Sequence, residues 1–267
     1  MKSEIREKEI IDKGTSTTFE WRRHLRDLLS AETCSPRGME VRERIGFQTR
    51  VDMTSPFVSD PTRKVHLPFL FGEAYWILSG DNRVGTIKPF NRHIERFSDD
   101  GDVFFGAYGP KIKSQIDGVI DKLVSDSQSR QAVINIWREN PPITKDVPCT
   151  LSFQFLRRFG KLHVLSTMRS NDVWLGYPYD IFNFSMLGWY VSMLLSENGL
   201  LTTPQFLHHR VGSFHLYEEN VAAARQTTAT ISRNRELRML PYSEASKLGS
   251  SEFLKYLKAK ANESLPN

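Results

Sequence analysis

Three short stretches hold the side chains best suited to covalent and acid–base chemistry: Val147-Pro148-Cys149-Thr150, Arg169-Ser170-Asn171-Asp172 and Leu175-Gly176-Tyr177-Pro178-Tyr179-Asp180. A lone cysteine is usually a small core residue. Cys149, however, follows a proline and opens a strand-like run, so its thiol sits where a strand begins and can face a cleft. Nucleophilic use needs thiolate character, which nearby guanidinium groups promote, and Arg169 and Arg130 are the candidates. Arg37, Arg130 and the Arg169-Ser170 pair offer forked donors that suit a phosphate, although each arginine taken singly reads as solvated surface. Asp180, ahead of an apolar run, reads locally as a helix N-cap. Glu73 interrupts an apolar segment, where carboxylates are rare unless paired or functional. Cys34, between a helix and a Pro-Arg-Gly turn, reads as structural.

The elements that must position these groups follow from periodicity. Residues 17–32 carry Trp21, Leu25, Leu28 and Leu29 on one helical face, and Pro36 and Gly38 break the pattern. Val41 to Val51 alternates and reads as a strand with one buried face. Phe69 to Ser79 reads as a buried helix stopping at Gly80. Ile112, Ile116, Val119, Ile120, Leu123 and Val124 mark an amphipathic helix, and Ala132–Trp137 reads as an interior strand. Cys149–Arg158 and Lys161–Arg169 form a hairpin turning at Phe159-Gly160. Asp180–Ser196 is a second buried helix, ending at Asn198-Gly199. Beyond about Arg225 the chain is polar and less informative. With no linker-like segment, residues 1–267 read as one domain, with a helical N-terminal segment (1–34) and a divergent C-terminal one (226–267).

Bulk properties exclude several classes. No window approaches the ~20 apolar residues of a membrane span, and the charged N-terminus is unlike a secretory signal. Two cysteines cannot form a disulfide framework or a Cys-rich metal site, which points to a reducing compartment, the cytoplasm (a host's, if phage-encoded). The net charge of +5 comes from dispersed residues, which suits small polyanionic ligands better than a nucleic-acid stripe. A zinc site built on His208, His209 and His215 fails because adjacent residues of a strand face opposite ways. Asp99-Asp100-Gly101-Asp102 lacks the distal Glu of a calcium loop. Neither a P-loop nor a dinucleotide glycine motif is present.

The order Pro-Cys, then Arg-Ser-x-Asp-Val-x-Leu-Gly-x-Pro-x-Asp, resembles the active-site signature of the thymidylate synthase family. The resemblance covers roughly residues 35–225 and is densest from Arg130 to Tyr217. It implies an α+β fold, a large mixed β-sheet flanked by helices, that forms a homodimer through a sheet face. It also implies a nucleoside monophosphate substrate with 5,10-methylenetetrahydrofolate as co-substrate and no metal. In the roles it carries over, Cys149, Glu73, Asp180 and Tyr108 are catalytic. Arg37, Arg130, Gln154, Arg169, Ser170, His215 and Tyr217 bind the nucleotide, with Arg130 donated to the partner's site. Asn171, Asp172 and Gly176 lie on the folate side. Gln131 departs from the family's usual second arginine.

Position 180 divides the family: Asn serves uracil, and Asp belongs to the cytosine-acting branch. Cytosine offers an amino donor at N4 and an acceptor at N3. A protonated carboxyl can donate to N3 while accepting from N4, which requires a pKa raised by burial. Synthases carry a tryptophan-rich segment and an apolar closing tail that keep water from the intermediate. Here no tryptophan lies between Trp76 and Trp137, and Asn262–Asn267 is polar. Both departures imply a wetter site and hydroxymethylation of dCMP or CMP at C5. Methylation of the same nucleotide or of dUMP, and an RNA-binding protein on the same fold, are the competing expectations.

Overall fold

The computed structural model describes residues 10–12, 15–230 and 237–263. Its main sheet has six strands in the order β2-β3-β7-β6-β5-β4: Glu32–Cys34, Val41–Asp52, Thr203–Tyr217, Lys161–Asp172, Thr150–Arg158 and Val133–Asn135. Only β6 and β7 run parallel, so the sheet is mixed, as expected. Strands β1 (Ile10–Asp12) and β8 (Leu237–Met239) form a separate antiparallel pair. Flanking helices are α1 (Thr15–Leu29), α2 (Leu67–Leu78), α3 (Tyr108–Lys113), α4 (Ile116–Ser125), α5 (Tyr177–Glu197), α6 (Glu218–Ala229) and α7 (Gly249–Glu263).

The β5–β6 hairpin pairs Arg158 with Lys161 across Phe159 (φ 52°) and Gly160 (φ 77°), two left-handed positions that match the twist of the strands. It carries Cys149 at one end and Arg169–Asp172 beside it. Helix α5 is buried on nearly all sides, from Tyr177 to Leu195, and lies across β6 and β7. Trp189 Nε1 donates to Met53 O at 2.7 Å, and Trp21 Nε1 to Val173 O at 2.9 Å. These two bonds tie α5 and α1 to the rest of the core. The N-terminal helix buries Trp21, Leu25 and Leu28, as its spacing predicts.

Some expectations change. The segment 132–137 yields the three-residue β4 at a sheet edge, not an interior strand: Ile134 and Ile136 are buried, but Val133 is 39% exposed. In β3, Ile45 is 85% exposed where a buried face was expected, next to left-handed Gly46 (φ 72°). The amphipathic pattern begun at Ile112 belongs to two helices, α3 and α4, with a break at Ser114-Gln115. Ile112, Ile116, Val119, Ile120 and Leu123 are buried in one core, so the pattern runs on through the break, but Val124, expected on the same face, is 43% exposed. Helix α5 begins at Tyr177 with Gly176 as N-cap, which removes the N-cap reading of Asp180. The C-terminal chain is more regular than its composition implied: α7 buries Phe253, Tyr256 and Leu257 and packs along α2. Residues 264–267, and with them most of the polar terminal stretch, lie outside the described residues, as do 1–9.

Candidate active site

Arg169 organises the thiol. Its backbone N–H donates to Cys149 O at 2.8 Å, the last rung where β6 meets the start of β5. Its guanidinium donates from Nε to Pro148 O and from Nη2 to Val147 O, each at 3.0 Å, and Nη2 also reaches Cys149 Sγ at 3.6 Å. One side chain thus pins the approach to the cysteine and touches its sulfur. Burial pushes the Cys149 thiol up, with Arg169 the chief opposing influence and Arg37 a lesser one. Arg130 does not act on the thiol as expected: it is exposed, and its carbonyl accepts from Gln154 Nε2 at 2.9 Å. The Tyr108 hydroxyl accepts from Thr150 N at 3.3 Å, and burial and the neighbouring Cys149 keep the phenol neutral.

The acid side is built from α2, β6 and α5. Asp180 lies in the first turn of α5, and burial pushes its carboxyl up to about 7, against a hydrogen bond from Asn171 that lowers it. Asn171 Nδ2 donates to Asp180 Oδ2 at 2.7 Å. Glu73, on α2, accepts from Asn183 Nδ2 at 2.7 Å and is pushed up to about 8, first by burial and then by Asp180. Asn183 sits three residues after Asp180, on the same face of α5. Gly176 makes the close approach possible: a Cβ there would stand 3.1 Å from Asn171 Nδ2 and 3.2 Å from Asp180 Oδ2.

Behind Asn171 lies a buried pair. His209 Nε2 meets Asn171 Oδ1 at 3.0 Å, and His209 Nδ1 meets Ser166 Oγ at 2.8 Å. Burial lowers the imidazole to about 3, so the ring is neutral. The structure therefore gives Asn171, expected on the folate side, a different place: it is 4% exposed, and both amide atoms are engaged inside the protein.

Arg37 occupies a left-handed position (φ 55°) in the turn Pro36–Gly38 and lies close enough to influence both the Tyr217 phenol and the Cys149 thiol. The Tyr217 ring stands edge-on to His215, their centroids 5.1 Å apart. His215 pairs with Asp172 across β6–β7, and half-buried Ser170 lies two residues before Asp172. Asp172 Oδ1 accepts the N–H groups of Trp174 at 2.7 Å and Leu175 at 3.2 Å, while Oδ2 is buried with no partner among the described residues. Arg63 braces that loop by donating to Trp174 O at 2.6 Å and Leu175 O at 3.3 Å.

Of the sequence-predicted residues, Cys149, Arg169, Arg37, Tyr108, Asp180, Glu73, Asn171, Asp172, Gly176, His215 and Tyr217 are linked by these contacts and electrostatic couplings. Arg130 and Gln154 pair with each other apart from the thiol. Sequence reasoning missed Asn183, His209, Ser166 and Arg63. A polar residue one helical turn from Asp180 was the available signal for Asn183. Among the described residues no His, Cys, Asp or Glu group could hold a metal ion, and no helix is long and apolar enough to cross a membrane. His209 points into the core while His208 lies half-exposed against His163 at 3.2 Å. A family model described as "Thymidylate synthase" matches residues 9–253 of the chain.

Proposed function

Because the chain belongs to the thymidylate synthase family, we propose that its one-carbon transfer to a pyrimidine nucleotide acts on a cytidine monophosphate. Water then completes the reaction, giving the 5-hydroxymethyl product. The observation that carries the base assignment is Asp180, a carboxyl pushed up to about 7 and coupled electrostatically to the Cys149 thiol. In its neutral form it can donate to N3 and accept from the N4 amino group. Uracil presents N3–H and O4 in their place, and a mismatch of this kind in a buried pocket discriminates strongly. Methylenetetrahydrofolate supplies the one-carbon unit. The orphaned Asp172 Oδ2 fits that co-substrate, since it is a buried acceptor awaiting an N–H donor.

In this reading Cys149 Sγ adds to C6, the C5=C6 electron pair moves toward C5, and Asp180 passes its proton to N3 as the ring gains charge. Glu73, held by Asn183, orders the water that removes the C5 proton. Arg169, Ser170 and Arg37 receive the phosphate, and His215 with Tyr217 the 3′-hydroxyl. Water adds to the exocyclic methylene left at C5, and the returning electron pair restores C5=C6 and expels the Cys149 thiolate from C6. The net reaction consumes the nucleotide, methylenetetrahydrofolate and water, and releases tetrahydrofolate. Addition of water rather than hydride is supported by the segment Phe90–Phe97, which has no tryptophan and leaves Phe97 45% exposed. We further propose a homodimer through the sheet face that bears Gln154, with Arg130 lent to the neighbouring site. The test incubates purified protein with methylenetetrahydrofolate and dCMP, CMP or dUMP in turn. A cytidine nucleotide heavier by CH2O is the expected product. A gain of CH2 with dihydrofolate would replace hydroxymethylation by methylation, and turnover of dUMP alone would overturn the base assignment.

A further inference from the structure

The buried group behind Asp180 admits two self-consistent hydrogen-bond patterns, because amide orientation and imidazole tautomer are coupled. In the first, Ser166 O–H donates to His209 Nδ1, His209 Nε2–H donates to Asn171 Oδ1, and Asn171 Nδ2–H donates to Asp180 Oδ2. In the second every donor is reversed: His209 Nδ1–H donates to Ser166, the Asn171 amide is turned over, and a protonated Asp180 Oδ2 donates to it. The heavy-atom distances of 2.8, 3.0 and 2.7 Å suit either.

Ser166 breaks the tie. It is fully buried, and its contact with His209 is the one side-chain hydrogen bond it makes among the described residues. In the first pattern its O–H proton is used. In the second that proton faces no acceptor, and a buried donor left unsatisfied is costly. A charged ring, the third option, would bury an imidazolium beside Tyr177 and Phe184 with no carboxylate against it; the lowering of His209 by burial agrees.

We infer that His209 is a positioning residue: its neutral ring holds the Asn171 amide with NH2 toward Asp180, making Oδ2 a permanent acceptor and Oδ1 the oxygen that carries the exchangeable proton. The second pattern would lock that proton against Asn171, where it could not reach a base. The tautomer part is independent of the proposed substrate. The link to N3 rests on the cytosine reading.

Two measurements test it. In protein labelled with 15N-histidine, without nucleotide, and with the His209 signals assigned by their loss in His209→Gln, Nε2 should carry the proton and Nδ1 none through the neutral range. A proton on Nδ1, or on both nitrogens, overturns the inference whatever the enzyme's substrate. The second is the ratio of kcat/KM for dCMP over dUMP. His209→Phe keeps a ring but loses the donor, and should lower the ratio roughly tenfold, the worth of one hydrogen bond, with inhibition by inorganic phosphate unchanged. His209→Gln can still donate to Asn171 and accept from Ser166, and should stay within about threefold of the wild type. An unchanged ratio in His209→Phe, or equal losses in both variants, removes the positioning role. A wild type that prefers dUMP defeats the substrate reading, while the tautomer stands or falls on the spectrum.

Discussion

On the acid side of the site, Asn171, His209 and Ser166 are buried, uncharged and bonded to one another, and they meet Asp180 through a single 2.7 Å contact. On the arginine side, Arg37 and Arg169 are exposed and charged, and Arg130 is exposed as well, tied to Gln154 through its backbone carbonyl. The contrast teaches how the two halves of a nucleotide are met. A base edge is distinguished by where single protons sit, which needs fixed donors in a dry setting. A phosphate is the same on every nucleotide, so long-range charge suffices and geometry can be completed on binding.

Arg169 is the residue that crosses this division, and removing it gives the largest effect. Arg169→Ala loses two carbonyl contacts and the contact to Sγ, so kcat/KM should fall about a hundredfold or more. In a Cys34→Ser background, alkylation of Cys149 at neutral pH should slow as well; an unchanged rate would separate Arg169 from the thiol. Gly176→Ala probes the acid side alone. Its Cβ would press on both partners of the Asn171–Asp180 bond. Base selectivity should drop roughly tenfold while phosphate inhibition holds. The smallest effect belongs to Arg37→Ala: KM should rise several-fold, more at low ionic strength, with base preference unchanged. If Arg37→Ala altered base preference instead, the two sides would not be separable.

The acid side also sets how stability depends on pH. Asp180 and Glu73 are pushed up to about 7 and about 8 in the folded chain, above their unfolded values. The folded state therefore holds protons that the unfolded state releases, and stability declines as pH rises from about 4 through those values. Asp180→Asn should raise Tm in mildly alkaline buffer by a few degrees, with little gain in acid. Equal shifts at both pH values would contradict a buried, proton-holding carboxyl.

Much of this was legible in the sequence because it is local. Cys149 beside Pro148, the Phe159-Gly160 turn, and the pairing of Arg169 with the strand after Cys149 all follow from neighbouring residues and a hairpin. What the sequence concealed depends on strands and helices distant in the chain. Nothing near His209 indicates that β7 lies parallel to β6 and so sets that imidazole against Asn171, 38 residues away. Likewise the Asn183–Glu73 bond spans 110 residues between α5 and α2. The break between α3 and α4 was hidden for another reason: two short helices feeding one core preserve the apolar spacing of a single long one.

The most direct test compares kcat/KM for dCMP and dUMP in the wild type and in Asp180→Asn, with methylenetetrahydrofolate saturating. The wild type should favour dCMP and the variant should reverse the preference, a combined change of about a hundredfold or more. A wild type and a variant with the same preference would show that the carboxyl at position 180 does not read the base.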